Sequence, residues 1–463
     1  MKQSGDRYVL IGAAALIVLM LQSTAARGVP SDAIAESTVR AHMEFLASDA
    51  MNGRGSGSRD EWITATYIAA QMRRAGLEPL GDAGDFVQTV EIARTEVVGE
   101  PVFEIGGVAL RRDQLFPFKL NTTDEQGLLQ KYVPGLPIRS GAVLLMPEEI
   151  GTDVKLDLQE AKLVLWHDTA ALRAHWPDLV RRPIRIGAAR FPTAASPPRA
   201  PTGPSQIMLN PDAYAAVAAL PEGTKASFTA HTQDITFHTW NVVARLNGSS
   251  SREKSDIILL TAHLDHLGAR DTGLDRIYNG ADDDASGSIA VLTLAEALSH
   301  GPKLKRTVVF AWFGSEEAGG YGAAYFVQKP VVPLDKIVAN LEFEMIGRPD
   351  AVIAPHTLWL TGWERTNLGP QLTAHGARLV ADPHPAEKFF ARSDNFTLAR
   401  RGVVAQTVSS FGLHADYHQV SDDIAHIDFA HMTESIQSLL APIRWLADSG
   451  FKPDWLPGGR PEN

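Results

Sequence analysis

The chain has 463 residues, of which 44% are hydrophobic and 21% charged, and 43 Lys and Arg face 54 Asp and Glu, giving a formal net charge of −11. This length predicts two or three domains with a large core, and the hydrophobic content excludes a disordered chain. The excess of acid argues against general nucleic-acid binding, because phosphate contacts need clustered cations. The absence of Cys excludes disulfides, thiolate metal sites and Cys nucleophiles.

The N-terminus has the pattern of an export signal. Lys2 and Arg7 precede an apolar run at 9–21, which is shorter than the ~20 residues needed to span a bilayer. Small residues follow at Ala25 and Ala26. We therefore expect a signal peptide over 1–26, cleaved near 25–26, and an exported protein, periplasmic or extracellular, without a stable membrane span after cleavage. An uncleaved membrane anchor is the alternative.

The elements expected next are two helices, at 31–47 and 59–76, around a Gly-rich stretch at 50–58 that we expect to be a flexible loop near a substrate entrance. Short β-rich pieces between Gly and Pro turns then predict an inserted β-rich domain over 95–235, in which we find no catalytic constellation. From 237 onward strands and helices alternate. The expected strands are 241–246, 257–262, 307–313, 337–345, 352–360 and 403–408, and the expected helices are 285–298, 319–328, 366–376, 393–401 and 429–447.

This alternation predicts an α/β fold with a mixed, mostly parallel central sheet and helices on both faces. Residues 31–94 and 236–450 are expected to form one discontinuous catalytic domain around the insert, with a C-terminal tail over 451–463. In such sheets the functional site lies beyond the carboxyl ends of the strands.

Carboxylates and imidazoles stand at those strand ends. His263 and Asp265 follow one expected strand, Glu316 and Glu317 follow the next, and Glu344 ends a third. An acidic stretch, NGADDDASG at 279–287, lies between the first two, and His418 comes late in the chain. Oxygen and imidazole ligands without Cys suit Zn²⁺ or a similar divalent ion.

The motifs HLDHLG, NGADDDASG, SEEAG, NLEFEMIGR, RSDNF and DYHQVSDD occur in this order within 240–430. Together they resemble the zinc-dependent peptidases of family M28, which include bacterial aminopeptidases and relatives of glutamate carboxypeptidase. The stretch LASDAMNGRGSGS is similar to the N-terminal part of many bacterial members. The insert lies where many members carry a protease-associated domain.

The resemblance implies two Zn²⁺ ions per chain. The implied metal ligands are His263 and Glu344 for one ion, Glu317 and His418 for the other, and Asp282 bridging both. It also implies a cis peptide between Asp282 and Asp283. Most members have Asp at the position of Glu344, and Glu342 is a nearby candidate for the same role.

The same resemblance implies two catalytic roles. Glu316 would be the general base, and Asp265 would orient His263 through its second ring nitrogen. From its place beside His418, Tyr417 would donate a hydrogen bond to the oxyanion, although a packed aromatic side chain is an equal alternative.

The expected function is that of an exported two-metal aminopeptidase acting on peptide substrates. One alternative is a carboxypeptidase or dipeptidase, for which Arg348 and Arg392 are candidate cationic pocket residues. A single-zinc glutaminyl cyclase and a non-catalytic binding module are the others. The sequence leaves open the side-chain preference, the native metal and the oligomeric state.

Overall fold

A computed structural model describes residues 33–148, 156–168, 185–192, 203–270 and 273–462. The expected signal peptide lies outside these residues. Within them, no helix combines the length and the apolar character needed to cross a membrane.

The helices and strands of the described residues have the following bounds. The helices are α1 Glu36–Leu46, α2 Arg59–Arg74, α3 Pro211–Ala218, α4 Gly287–His300, α5 Tyr321–Gln328, α6 Leu368–Ala374, α7 Asn395–Arg400 and α8 Phe429–Asp448. The strands are β1 Glu78–Pro79, β2 Val87–Ile105, β3 Val108–Leu110, β4 Leu115–Lys119, β5 Asp124–Lys131, β6 Ala142–Leu145, β7 Ala161–His167, β8 Arg185–Arg190, β9 Ser205–Leu209, β10 Lys225–Leu246, β11 Ile257–His263, β12 Thr307–Phe313, β13 Ile337–Phe343, β14 Leu358–Leu360, β15 Leu379–Ala381 and β16 Ala405–Ser409.

The central sheet has the order β15-β14-β16-β13-β11-β12-β10. Strand β11 pairs in parallel with β12 and β13, and β16 pairs in parallel with β13, whereas β10 and β14 join their neighbours β12 and β16 antiparallel. This arrangement confirms the expected mixed, mostly parallel sheet. Strands buried on both faces read as continuous apolar runs, which is why β11 and β12 were recognisable in the sequence.

Each face of the sheet is covered by helices. Because side chains alternate along a strand, Ile258 and Leu260 of β11 enter a core shared with helices α1, α2, α4 and α8. Ile257 and Leu259 enter a second core on the other face, shared with α5 and α7. The alternation therefore places the apolar side chains of β11 in two separate cores.

One expected strand is wrong over most of its length. Of the stretch 352–360, only Leu358–Leu360 forms a strand. Pro355 lacks the N–H that a strand ladder needs, and Val352 is 66% exposed. The preceding residues form turns instead.

The β-rich insert is continuous with the central sheet through two long strands. Strands β2 and β10 pair antiparallel from Val87, opposite Val242, to Ile105, opposite Ala226, with one irregularity. The expected domain boundary near 95 therefore falls inside β2, and the one near 235 falls inside β10. Beyond this ribbon, β5, β6, β7 and β9 are joined by parallel pairings. A separate core that includes Phe103 and Phe228 fills this part of the molecule.

Candidate metal centre

Three strand ends bring the candidate residues to one edge of the sheet. His263 is the last residue of β11 and pairs with Phe313, the last residue of β12, so Glu316 and Glu317 follow at the same edge. On the other side of β11, Thr261 pairs with Glu342, and Glu344 follows the end of β13. The parallel register thus places residues more than 80 positions apart in the sequence side by side.

Two groups of side chains at this edge have the spacing of metal ligands. His263, Asp283 and Glu344 offer atoms within 4.8 Å of one another, and so do His266, Asp283 and Glu317. Asp283 belongs to both groups. Its Oδ1 lies 3.2 Å from Nε2 of His263, and its Oδ2 lies 3.2 Å from Nε2 of His418.

These distances fit a pair of bridged cations. Ligands held ~2.0–2.1 Å from a tetrahedral Zn²⁺ stand about 3.3 Å apart. The Nε2 of His418 is 3.3 Å from Oε2 of Glu317 and 3.2 Å from Oδ2 of Asp283, both close to that spacing. One oxygen of Asp283 thus faces each half of the centre.

The expected bridging residue was misplaced by one position. Asp283, and not Asp282, is the acid that both groups share, and the cis peptide joins Asp283 to Asp284 rather than Asp282 to Asp283. The carboxylate of Asp282 is engaged elsewhere. Its Oδ1 accepts a hydrogen bond from the Gly347 N–H at 2.7 Å, and its Oδ2 lies 3.0 Å from Nε2 of His414.

The acidic stretch is held in place by contacts on both sides of Asp283. Asp284 accepts hydrogen bonds from the backbone N–H groups of His263 and Met345, and so ties the ends of β11 and β13 together. The carboxylate of Asp422 accepts hydrogen bonds from the N–H groups of Asp282 and Asp283, each at 3.0 Å. Because these bonds anchor the backbone of Asp282 and Asp283, the Asp283 carboxylate is held toward the centre.

His266 is a member of the centre that the sequence reasoning missed. This fully buried imidazole lies with Nδ1 2.8 Å from Oε1 of Glu317 and 3.9 Å from Oδ2 of Asp283. The first distance is that of a hydrogen bond, whereas metal ligands stand about 3.3 Å apart. His266 therefore orients Glu317, leaving its Oε2 toward His418. The second His of HLDHLG was the available clue.

Asp265 meets its neighbours differently from the expected arrangement. The Nδ1 of His263 lies 3.2 Å from the backbone carbonyl of Asp265 and 3.7 Å from its carboxylate, so the carbonyl is the closer partner. The Asp265 carboxylate instead accepts a hydrogen bond from the Glu316 N–H at 2.9 Å and another from the Ser56 hydroxyl. Asp265 therefore links the loop of His263 to the loop of Glu316.

Burial sets the ionisation of the acids at the centre. It raises the pKa of Glu316 well above its ordinary value, although nearby His263 opposes this shift. Burial, followed by repulsion from Glu342, raises the pKa of Glu344 to about 8. Burial and the nearby Asp283 also raise the pKa of Glu317, but hydrogen bonds to His266 and His418 outweigh them and hold this pKa at about 2.

The chemistry of this donor set fits divalent cations. Buried carboxylates are costly unless they are paired or bind metal, and here Asp283, Glu344, Glu316 and Glu317 converge on imidazoles. The other candidate acid, Glu342, accepts hydrogen bonds from the Asn395 N–H and the Thr407 hydroxyl, at 2.5 and 3.3 Å. Its engagement supports Glu344 as the ligand.

A cleft opens beside Glu344. Its lining includes the aromatic residues Trp359, Phe389, Phe411 and Tyr417. The ring of Tyr417 stacks on His418 with a centroid separation of 3.9 Å. Arg348 and Arg392 were the two expected cationic pocket residues. Arg348 pairs with Asp416 at 2.7 Å, whereas Arg392 lines the cleft.

Parts of the chain are similar in sequence to known peptidases. Residues 241–442 match the model of peptidase family M28. The chain is 30% identical over 217 residues to leucine aminopeptidase 2 of Trichophyton rubrum, covering 41% of each protein. It is 35% identical over 116 residues to an aminopeptidase of Pseudomonas aeruginosa, covering 24% of this chain and 19% of that one. The chain thus spans less than half the length of these relatives.

The fold is also that of solved structures. An aminopeptidase from Aneurinibacillus sp. strain AM-1 superposes with a TM-score of 0.60 at 16% identity, covering 91% of this chain and 96% of that one. BSAP, described as a zinc aminopeptidase from Bacillus subtilis, gives 0.55 at 16% identity, covering 90% and 96%.

An α/β sheet with two histidine and carboxylate groups sharing one Asp at its carboxyl edge defines a metallohydrolase type of centre. Residues 241–442, which match the model of peptidase family M28, contain every residue of both groups.

Proposed function

We propose that the protein is a two-metal aminopeptidase that releases N-terminal residues from peptides. The observation that carries the proposal is Asp283, whose two oxygens each lie 3.2 Å from a different histidine, with the half-buried Glu316 close to the same centre. One buried carboxylate between two sets of ligands is the arrangement of a two-metal hydrolase.

The proposed ions are two Zn²⁺ per chain. His263, Asp283 and Glu344 would hold one ion, and Asp283, Glu317 and His418 the other, with His266 orienting Glu317. When bound, such a pair lowers the pKa of a shared water toward neutrality and stabilises negative charge on the substrate carbonyl. Zinc is supported by the chemistry of the ligands and by the name of the Bacillus neighbour.

Glu316 is the proposed general base. The burial that raises its pKa suits a group that must accept a proton from water and then pass it to the leaving amine. Its backbone N–H is fixed by Asp265, which keeps the side chain at the edge of the centre. The Tyr417 hydroxyl is the proposed hydrogen-bond donor to the carbonyl oxygen, because its ring is stacked on His418.

The pairing of one expected carboxylate-recognition residue favours an amino group over a carboxylate as the substrate terminus. Arg348, one of the two expected recognition residues, is already paired with Asp416. Arg392 in the cleft wall is the observation that keeps a carboxypeptidase as the second candidate.

The aromatic residues of the cleft suggest the side-chain preference. Trp359, Phe389 and Phe411 present apolar surface next to Glu344, which favours an apolar N-terminal side chain. The named leucine aminopeptidase relatives support the same preference.

The deciding experiment measures hydrolysis of a panel of p-nitroanilides with and without a chelator. Leucine and phenylalanine p-nitroanilides should be cleaved, acetyl-leucine p-nitroanilide should not, and chelation should abolish turnover. Cleavage of a carboxyl-terminal residue from an N-blocked dipeptide would instead support the carboxypeptidase. Cyclisation of an N-terminal glutamine would indicate a glutaminyl cyclase, and zinc binding without any turnover would indicate a binding module.

Export of the protein and the role of the insert stay proposals. The N-terminal pattern supports cleavage near 25–26 and a periplasmic or extracellular location. The separate core around Phe103 and Phe228 supports treating the insert as a domain of its own.

A further inference from the structure

The segment 54–61 lies far from the metal centre in sequence and outside the matched family domain, yet its contacts converge on the loops that carry the metal ligands. We call residues 54–61 the bracing segment. Its first part, 54–58, was expected to lie in a flexible loop, but Arg54 is 1% exposed. Glu61, at the start of helix α2, is fully buried. Gly55 forms a parallel bridge with His266. The segment is therefore part of the packed interior.

Ser56 contacts the loop that follows β11. Its hydroxyl donates to Oδ2 of Asp265, whose Oδ1 accepts the Glu316 N–H at 2.9 Å. The backbone carbonyl of the same Asp265 is the closest partner of the His263 Nδ1, at 3.2 Å. Ser56 thus holds a residue whose carboxylate accepts the Glu316 N–H and whose backbone carbonyl lies against the His263 imidazole.

Glu61 holds the turn that leads to the base. Its Oε1 accepts the Ser315 N–H at 2.9 Å and the Thr239 hydroxyl at 2.5 Å, and its Oε2 accepts the Gly57 N–H at 2.7 Å. Ser315 has φ 54°, a left-handed conformation that is unfavourable for a residue with a side chain. The hydrogen bond that the Ser315 N–H donates to Glu61 therefore stabilises the backbone directly before Glu316.

Arg54 joins the stretch that carries Asp283 to the loop that follows β11. Its guanidinium donates to the carbonyl oxygens of Asn279 and Gly280, at 2.6 and 2.9 Å, at the start of the acidic stretch that contains Asp283. It also donates to the Leu264 carbonyl at 3.3 Å, while its own carbonyl accepts the His266 N–H at 3.1 Å. Three ligand-bearing loops are thus tied to one short segment.

We propose that the bracing segment positions the metal centre and its base, and that Ser56 is a positioning residue acting through Asp265. The inference rests on the proposed two-metal function, because Glu316 and His263 are the groups that it orients. Removing the Ser56 hydroxyl would take away the hydrogen bond to Oδ2 of Asp265 and leave Oδ1 to accept the Glu316 N–H. The positions of both Glu316 and His263 would then be less restricted.

The test compares Ser56→Ala with Ser48→Ala. Ser48 precedes the segment and donates one hydrogen bond to the Phe45 carbonyl at 2.8 Å, so it controls for a lost serine hydroxyl in the same region. For Ser56→Ala we expect kcat for leucine p-nitroanilide to fall about tenfold with KM little changed, and the Kd for Zn²⁺ in a chelator competition to rise about tenfold. Ser48→Ala should match the wild type in both.

Two results would overturn the inference. In one, Ser56→Ala keeps the wild-type Zn²⁺ affinity and kcat. In the other, Ser48→Ala shifts both quantities by the same factor, which would indicate a general loss of stability. The zinc titration also separates this inference from the proposed function. A wild type that hydrolyses no peptide refutes the function, while weaker Zn²⁺ binding by Ser56→Ala alone would still support the positioning role.

Discussion

Replacing Asp283 by Asn should remove metal from the centre, whereas the same change at the adjacent Asp282 should not. The amide that replaces the Asp283 carboxylate keeps one oxygen, and its NH₂ group cannot bind a cation. Because each oxygen of Asp283 lies 3.2 Å from a different histidine, one of the two ions must lose a ligand in either orientation of the amide. The centre also loses one negative charge.

The size of the effect follows from this geometry. Changes to residues that only orient metal ligands already weaken metal binding by about 10–100-fold, so losing a direct ligand should cost at least about 100-fold. This corresponds to about 2.8 kcal/mol. Asp282→Asn keeps an oxygen for the Gly347 N–H and alters only the contact with His414. We expect it to bind two Zn²⁺ with an affinity within tenfold of the wild type.

The assay measures zinc per chain by mass spectrometry after dialysis, together with the Kd for Zn²⁺ by competition with a chelator. The wild type and Asp282→Asn should each hold two ions, and Asp283→Asn fewer than two. If Asp282→Asn loses zinc and Asp283→Asn retains both ions, the geometric assignment is wrong and the sequence-based one is right.

Glu316 and Glu317 are also adjacent acids whose variants should behave differently. Glu316→Gln removes a proton acceptor and should lower kcat ~10²–10⁴-fold while retaining zinc. Glu317→Gln should instead weaken one ion and recover in part with added Zn²⁺, and equal zinc loss in both variants would contradict these roles. Burial lowers the pKa of His431 to about 4, from an ordinary value of 6.5. A depressed histidine pKa means that the unfolded chain binds the proton more tightly, so this contribution to stability is present above pH 6.5 and is lost as the pH falls toward 4. We expect the free energy of unfolding in urea to fall by about 2 kcal/mol more between pH 7.5 and pH 5 in the wild type than in His431→Gln, and parallel curves would refute this. Mass spectrometry of the exported protein should find a new N-terminus near residue 25 or 26, and an intact Met1 would contradict cleavage.

The elements of the catalytic part were predictable where a local pattern determines them. The apolar runs of β11 and β12 and the amphipathic pattern of α8 need no distant contact to be recognised. The chemistry was visible for the same reason, since His263, Glu317 and Glu344 directly follow such strands. The stretch 352–360 failed because apolar content alone does not satisfy a strand, and Pro355 interrupts its hydrogen bonding.

The choice among three consecutive Asp residues needed the tertiary structure. Asp282, Asp283 and Asp284 have the same side chain, and only their partners separate them. Gly347 and His414 engage the first, the histidines of the centre face the second, and the ends of β11 and β13 bind the third. Resemblance to a motif could not resolve a shift of one residue.

The sequence by itself determined the class of the fold, the order of its strands along the chain and the kind of chemistry at their ends, because periodicity and residue type are local properties. Only the tertiary structure decided that Asp283 is shared, that His266 orients Glu317 and that Ser56 reaches Asp265. These are contacts between residues as far as 209 positions apart. Packing of the whole chain creates them, and no local pattern encodes them.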